Sequence, residues 1–71
     1  MPTYAVTIIG LDSEATQGYS PNATHTVQVE ADNAESIQTE DCFTEVILEF
    51  ASEDLGGPVY AFDGFLSVVP V

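Results

Sequence analysis

The spacing of apolar residues changes along this chain of 71 residues, and the change limits the folds open to it. The segment YAVTIIGL is rich in β-branched residues and alternates, with Tyr4, Val6 and Ile8 on one side. A period of two is typical of a strand with one buried face, here Thr3 to Gly10. The segment THTVQVEA alternates in the same way and predicts a second strand from Ala23 to Ala31.

The period then becomes helical. Apolar residues recur at positions i, i+3, i+4 and i+7, namely Phe43, Val46, Ile47 and Phe50. This stripe predicts a helix from Glu40 to Ser52. Two N-caps fit the pattern, Asp32 with Glu35 three residues later, or Thr39. Two glycines and a proline at positions 56 to 58 predict the end of the helix.

The last segment, PVYAFDGFLSVVPV, predicts a β-hairpin. Asp63 and Gly64 lie between two apolar runs, and this dipeptide favours a two-residue turn. Such a turn would pair Phe62 with Phe65 on one face. The element order is then ββαββ. This order predicts an α+β fold, a small two-layer sandwich in which an antiparallel sheet carries one helix.

We expect a single domain spanning residues 1–71, with a flexible loop near residues 12–22, where Gly, Ser, Pro and Asn concentrate. The hydrophobic fraction of 45% and the mean hydropathy of +0.16 favour a folded chain over a disordered one. Cys42 is the one cysteine, so no intrachain disulfide can form. That cysteine usage and the lack of a secretory signal pattern predict a cytoplasmic protein.

One helix can cover only one face of the sheet. In the predicted hairpin the second face would carry four apolar residues, which need cover from another copy or another protein. We therefore expect a homodimer in which this face is the contact surface. Its residues are Val59, Ala61, Leu66 and Val68.

The charge balance points to a class of partner. An average soluble domain is about a quarter charged, so about eight or nine Lys and Arg residues are expected at this length. The chain has none, against 12 Asp and Glu residues, and its formal net charge is −12. Such a charge repels nucleic acid and anionic membranes and favours a basic protein as the partner.

Acidic residues concentrate on and before the predicted helix. Successive helical residues are about 100° apart, so Asp41, Glu45 and Glu49 lie on the far side of the helix from Phe43 and face solvent. Each step rises about 6 Å, comparable to the spacing of phosphates on a nucleic acid strand. Leu48, beside this row, is the candidate apolar anchor. The predicted partner-binding residues are Glu35, Glu40, Asp41, Glu45, Leu48, Glu49, Glu53 and Asp54.

In size and charge the chain resembles, as a class, the inhibitors that phages and mobile elements make against host restriction, CRISPR and other nucleic-acid-binding proteins. The resemblance implies an inhibitor or interaction protein that mimics nucleic acid charge in the host cytoplasm. The alternative is a halophilic structural or oligomerising protein whose acids serve only solvation. We expect no enzyme activity, cofactor or metal site, because no catalytic arrangement surrounds His25 and the acidic neighbour Asp41 disfavours a reactive Cys42 thiolate.

Overall fold

The computed structural model describes residues 1–71 and has an antiparallel sheet with helices packed on one face. It confirms the predicted α+β sandwich with one main helix between two pairs of strands. The elements are β1 (Thr3–Ser13), β2 (Gly18–Glu30), α1 (Ala34–Thr39), α2 (Asp41–Leu55), β3 (Val59–Ala61) and β4 (Gly64–Pro70). Neither helix has the length and apolar character needed to cross a lipid bilayer.

Strand β1 is the centre of the sheet. Strand β2 pairs antiparallel with one edge of β1, from Thr3 opposite Glu30 to Ser13 opposite Gly18. Strands β3 and β4 both pair antiparallel with the other edge, one after the other. The outer edges of β2 and of β3 and β4 therefore have no strand partner.

The predicted hairpin at Asp63 and Gly64 is wrong. A two-residue turn of type I′ needs positive φ at both central positions, and neither residue has it. The Asp63 N–H instead donates to the carbonyl oxygen of Ile9 at 2.9 Å, which keeps the chain along β1. The rings of Phe62 and Phe65 do meet, edge to face with centroids 5.4 Å apart, but across a bend in the chain.

The loop predicted at residues 12–22 is reduced to a turn over residues 14–17, because both strands are longer than predicted. Hydroxyl groups hold this turn. Ser13 Oγ accepts from the N–H of Thr16 at 3.1 Å, and Thr16 Oγ1 donates to the carbonyl of Gly18 at 2.6 Å. Pro21 is tolerated within β2 since an edge strand does not need every N–H for pairing.

Both candidate helix starts produce a helix, each with its cap one residue later than predicted. Asn33 caps α1, where its Oδ1 accepts from the N–H of Ser36 at 2.8 Å. Glu40 has an extended backbone that separates the two helices. Helix α2 continues three residues beyond Ser52 and ends at Gly56, whose φ of 72° is the left-handed conformation common at helix ends.

The core lies between the sheet and the helices. A β-bulge at Gly10, with φ of 79°, changes which alternate residues of β1 point inward. Val6 and Ile8 point inward before the bulge, and Leu11 and Ser13 after it. The buried apolar residues are Val6, Ile8, Leu11, Val27, Val29, Ala31, Ile37, Ile47, Ala51 and Val59.

Candidate functional site

Four carboxylates form a row on the solvent side of α2. The helix packs onto the sheet through Ile47 and Ala51, both 0% exposed. Glu45 and Glu49 lie about 160° around the helix from Ile47, and the row as a whole is exposed. We call it the acidic row, and its members are Asp41, Glu45, Glu49 and Glu53.

The acidic row has no cation to pair with inside the chain. Glu35 on α1 and Glu40 between the helices are also exposed and extend the acidic surface. Asp54 differs, because its Oδ2 lies 3.0 Å from Nε2 of His25 on β2. This is the one side-chain ion pair that the structure contains. The last turn of α2 carries no basic residue, although a helix C-terminus favours one.

Leu48 is not the exposed anchor that the sequence predicted. It is half-buried and packs against the core. The reason is the position of α2, whose Leu48 side faces β3. There Ser52 Oγ donates to the carbonyl of Leu48 at 2.7 Å and accepts from the N–H of Val59 at 2.9 Å. The large apolar side chain of α2 that is exposed is Phe50, at 37%.

Phe50 belongs to a groove between α2 and the edge strand β2, the β2–α2 groove. Its larger part has a volume of about 460 Å³ and is walled on the helix side by Phe43, Val46 and Phe50. Thr3, Gln28, Val29 and Glu30 line its sheet side. A smaller part, about 310 Å³, adjoins it at Gln28 and Phe50 and extends to Glu53 and Asp54. The sequence pattern places Phe43 and Phe50 on the apolar stripe that is expected to face the core. Phe50 is nevertheless open to solvent because of how α2 is rotated about its own axis against the sheet.

The surface predicted for a homodimer is divided. Val59 is only 6% exposed, and Val68 is half-buried against the core, so both lie on the helix side of the sheet. Ala61 and Leu66 are exposed. The division arises because β3 and β4 pair separately with β1, and a bulge opposite Thr7 and Ile8 leaves Leu66 as an extra residue.

The sheet face that the helices leave open combines polar and apolar side chains, since Ala5 and Ile9 of β1 and the exposed Val69 of β4 alternate there with hydroxyl residues. Thr7 and Thr26 lie opposite each other on β1 and β2, and their hydroxyl oxygens are 2.8 Å apart. Ser67 of β4 is the partner of Thr7 on the other side. Hydroxyl groups of this kind hydrogen-bond to water, while Val69 leaves apolar surface exposed on the same face, so the homodimer stays a prediction.

Two tyrosine–carboxylate pairs connect distant parts of the chain. The Tyr19 hydroxyl donates to Oδ2 of Asp63, and the hydrogen bond, partial desolvation and the Asp63 charge raise the pKa of Tyr19. The Tyr60 hydroxyl donates to Oε1 of Glu14 at 3.3 Å. Desolvation, then the charge of Glu14 and its hydrogen bond, raise the pKa of Tyr60. Sequence reasoning missed both pairs because their members are far apart in the chain.

No three His, Cys, Asp or Glu side chains converge in an arrangement that could hold a metal ion. His25 is engaged with Asp54, and Cys42 is exposed on α2. Comparison with protein-family models, with curated proteins and with solved structures found no match. The features available for functional inference are therefore the acidic surface, the β2–α2 groove and the tyrosine–carboxylate pairs.

Proposed function

We propose that this protein is a small acidic inhibitor, encoded by a phage or mobile element, that binds a basic nucleic-acid-binding protein of its host. In this proposal it occupies the partner's nucleic acid site by mimicking the charge of nucleic acid. One observation carries the proposal. Seven carboxylates crowd onto α1, α2 and the residue between them, all exposed, and only Asp54 has a positively chargeable partner.

The acidic row supplies the proposed mimicry. Neighbouring acids in the row are four residues apart, which separates them by about 6 Å along the axis and turns them by about 40°. A basic groove that binds phosphates would thus meet carboxylates at a similar spacing. Repulsion between acids four apart costs about 0.2–0.5 kcal/mol per pair, so neutral Gln at the same positions would make α2 more stable. The retained charge supports a role in binding.

The charge of the whole chain supports the same mechanism. A net charge of −12 on 71 residues attracts a basic surface over a distance and raises the rate of encounter. The protein has no Lys or Arg side chain that would repel a cationic groove. The partner would then be held through contacts that nucleic acid needs, and the two ligands would exclude each other.

A solvation role is the second candidate, and the distribution of acids favours it in one respect. Five acids lie outside α1, α2 and the link between them, on the strands, at the turns and in the bend before β4. They are Asp12, Glu14, Glu30, Asp32 and Asp63. Acids spread over the surface are typical of proteins adapted to brine, where salt screens their repulsion. In that case no single group of acids would matter for binding.

The two candidates are distinguished by where charge is removed. The test variant carries Glu45→Gln and Glu49→Gln on the acidic row, and the matched control carries Asp12→Asn and Asp32→Asn. Each loses two charges. The immobilised protein is used to capture proteins from a bacterial lysate at about 0.1 M salt, and a short DNA duplex is then added to release them.

We expect the wild type and the control to retain proteins that the duplex releases, and the test variant to retain much less. Melting temperatures of the three proteins show that the difference is not caused by unfolding. Equal retention by the test variant and the control, or no release by the duplex, would contradict mimicry by the acidic row. Loss of solubility at high salt in both variants would favour the solvation role.

A further inference from the structure

We propose that the β2–α2 groove binds an extended basic segment of a partner protein, which adds to the sheet as a new strand beside β2. The inference rests on the proposed function for one point, the positive charge of the partner. It concerns a surface that excludes Glu45 and Glu49 and shares only Glu53 with the acidic row.

The edge of β2 is available for pairing. β2 has 13 residues and pairs only with β1, so alternate backbone N–H and C=O groups along its outer edge have no strand partner. Natural edge strands are commonly protected by Lys, Pro, bulges or shortness. Here Pro21 and the register shift protect only the first part of β2, and residues 24–30 are regular.

The opposite edge of the sheet is less suitable. It is divided between β3 and β4, with an interruption at Phe62 and Asp63. A further bulge lies within β4. A strand added there would meet two breaks in the ladder, so the observations favour the β2 edge.

The groove provides a place for an apolar side chain. A strand added to β2 would direct every second side chain to the helix side of the sheet. On that side it would meet Phe43, Val46 and Phe50, and covering Phe50 would remove apolar surface from water. The volume of about 460 Å³ fits one large aliphatic or aromatic side chain with its neighbours.

Carboxylates at both ends of the groove define the charge of the occupant. Glu30 lies at one end, and Glu53 and Asp54 lie at the other. The regular part of β2, residues 24–30, spans about 20 Å at 3.4 Å per residue. A segment of about seven residues would reach both ends, with basic residues at its ends and a large apolar residue at its centre. This arrangement is strand addition with side-chain pockets, a known mode of peptide recognition.

The probe for the test is a synthetic seven-residue peptide with phenylalanine at its centre, valine on each side and two basic residues at each end. Binding is measured by fluorescence anisotropy at about 0.05 M salt. We expect Phe50→Ala to weaken binding at least tenfold, and Glu30→Gln with Glu53→Gln to weaken it severalfold. The matched control, Glu45→Gln with Glu49→Gln, loses the same charge and should remain within about threefold of the wild type.

Two further measurements separate strand addition from simple charge attraction. Methylation of alternate backbone nitrogens in the peptide removes ladder hydrogen bonds while keeping its charge, and it should reduce binding at least tenfold in one of the two possible registers. Bound peptide should also slow amide hydrogen exchange in residues 24–30 of β2. Equal binding by methylated peptides of both registers, or unchanged exchange in β2, would overturn the proposal. So would equal losses in the groove variant and its charge-matched control.

Failure of the groove proposal can be distinguished from failure of the proposed function. Loss of lysate capture in the acidic-row variant, with peptide binding unchanged, supports two independent surfaces. Peptide binding without any duplex-sensitive capture keeps the groove and rejects mimicry. Absence of peptide binding to the wild type at low salt overturns the groove whatever the capture experiment gives.

Discussion

Nε2 of His25 on the edge strand β2 lies 3.0 Å from Oδ2 of Asp54 near the end of α2. This contact connects the sheet to the helix beside the smaller part of the groove, which Asp54 lines. The side chain of Asp54 is 55% exposed, so water screens the interaction. An exposed pair of this kind contributes about 0.2–1 kcal/mol. It is the one contact in which a carboxylate of this chain meets a side chain that can carry a positive charge.

A double-mutant cycle measures this contact. We expect His25→Ala and Asp54→Ala each to lower the free energy of unfolding, and their coupling energy to be about 0.2–1 kcal/mol in favour of the wild-type pair. Chemical denaturation of the four proteins at one pH gives the value. The control is a cycle between His25 and Glu49, which do not touch, and its coupling energy should be near zero. A coupling of zero in the first cycle would show that the pair adds nothing to stability.

Ser52 should be important for stability because it satisfies a buried backbone group. Its Oγ accepts from the N–H of Val59, a core residue at the start of β3. Ser52→Ala leaves that N–H without a partner, and we expect a loss of about 1–3 kcal/mol. Ser67→Ala, at an exposed position in β4, should change stability by less than about 0.5 kcal/mol. Urea denaturation compares the two, and similar small effects would mean that water replaces the Ser52 hydroxyl.

Gly10 should resist substitution for two reasons. Its φ of 79° strains any other residue, and a Cβ placed there would lie 2.6 Å from the Cβ of Asp63. We expect Gly10→Ala to cost about 1–3 kcal/mol from backbone strain, with more from the clash. Gly64→Ala is the control, since its φ is not positive and no atom lies within 4 Å of the added carbon. The check is the melting temperature of each variant, and equal melting temperatures for the two variants would contradict the β-bulge at Gly10.

High pH should destabilise the fold through Tyr19. Its folded-state pKa is raised, chiefly by the hydrogen bond to Asp63, so the neutral phenol is the form that folding favours. The stabilisation is complete below the ordinary tyrosine pKa of about 10 and is lost as pH rises through the folded value. Absorbance at 295 nm should therefore show Tyr19 ionising later than in the unfolded chain. Tyr19→Phe identifies its signal, and Asp63→Asn should move the titration back toward the ordinary value.

Local patterns predicted the elements of this fold better than their connections. The alternation that includes Val6 and Ile8 identified buried faces because one-sided burial imposes a period of two. Asp63 and Gly64 gave the wrong hairpin because a turn signal is local, whereas the pairing of β3 and β4 depends on β1, which is distant in sequence. Strand β4 pairs with β1 from Tyr4 to Ile9, which is a longer ladder than the three residues of β3 could offer it.

The candidate site likewise has features that local sequence patterns predict and features that depend on distant residues. The exposure of Glu45 and Glu49 follows from helical geometry alone, so the sequence predicts the acidic row. The exchange of roles between Leu48 and Phe50 does not follow from it, because helical geometry places Phe50 in the middle of the apolar stripe and Leu48 outside the stripe. Which of them is covered depends on how α2 lies between β2 and β3. The pair of Tyr19 with Asp63 depends likewise on a distant residue, because Asp63 occupies the space that a side chain at Gly10 would fill.

The central position of β1 has a consequence for how the protein forms in the cell. Residues near Tyr4 are translated well before their partner Pro70, which lies at the end of β4. Until β4 docks, one edge of β1 has no strand partner. The outer edge of β2 has no strand partner either. The nascent chain is thus most prone to intermolecular pairing before β4 has docked. The same negative charge that we assign to binding would keep neighbouring nascent chains apart during that interval.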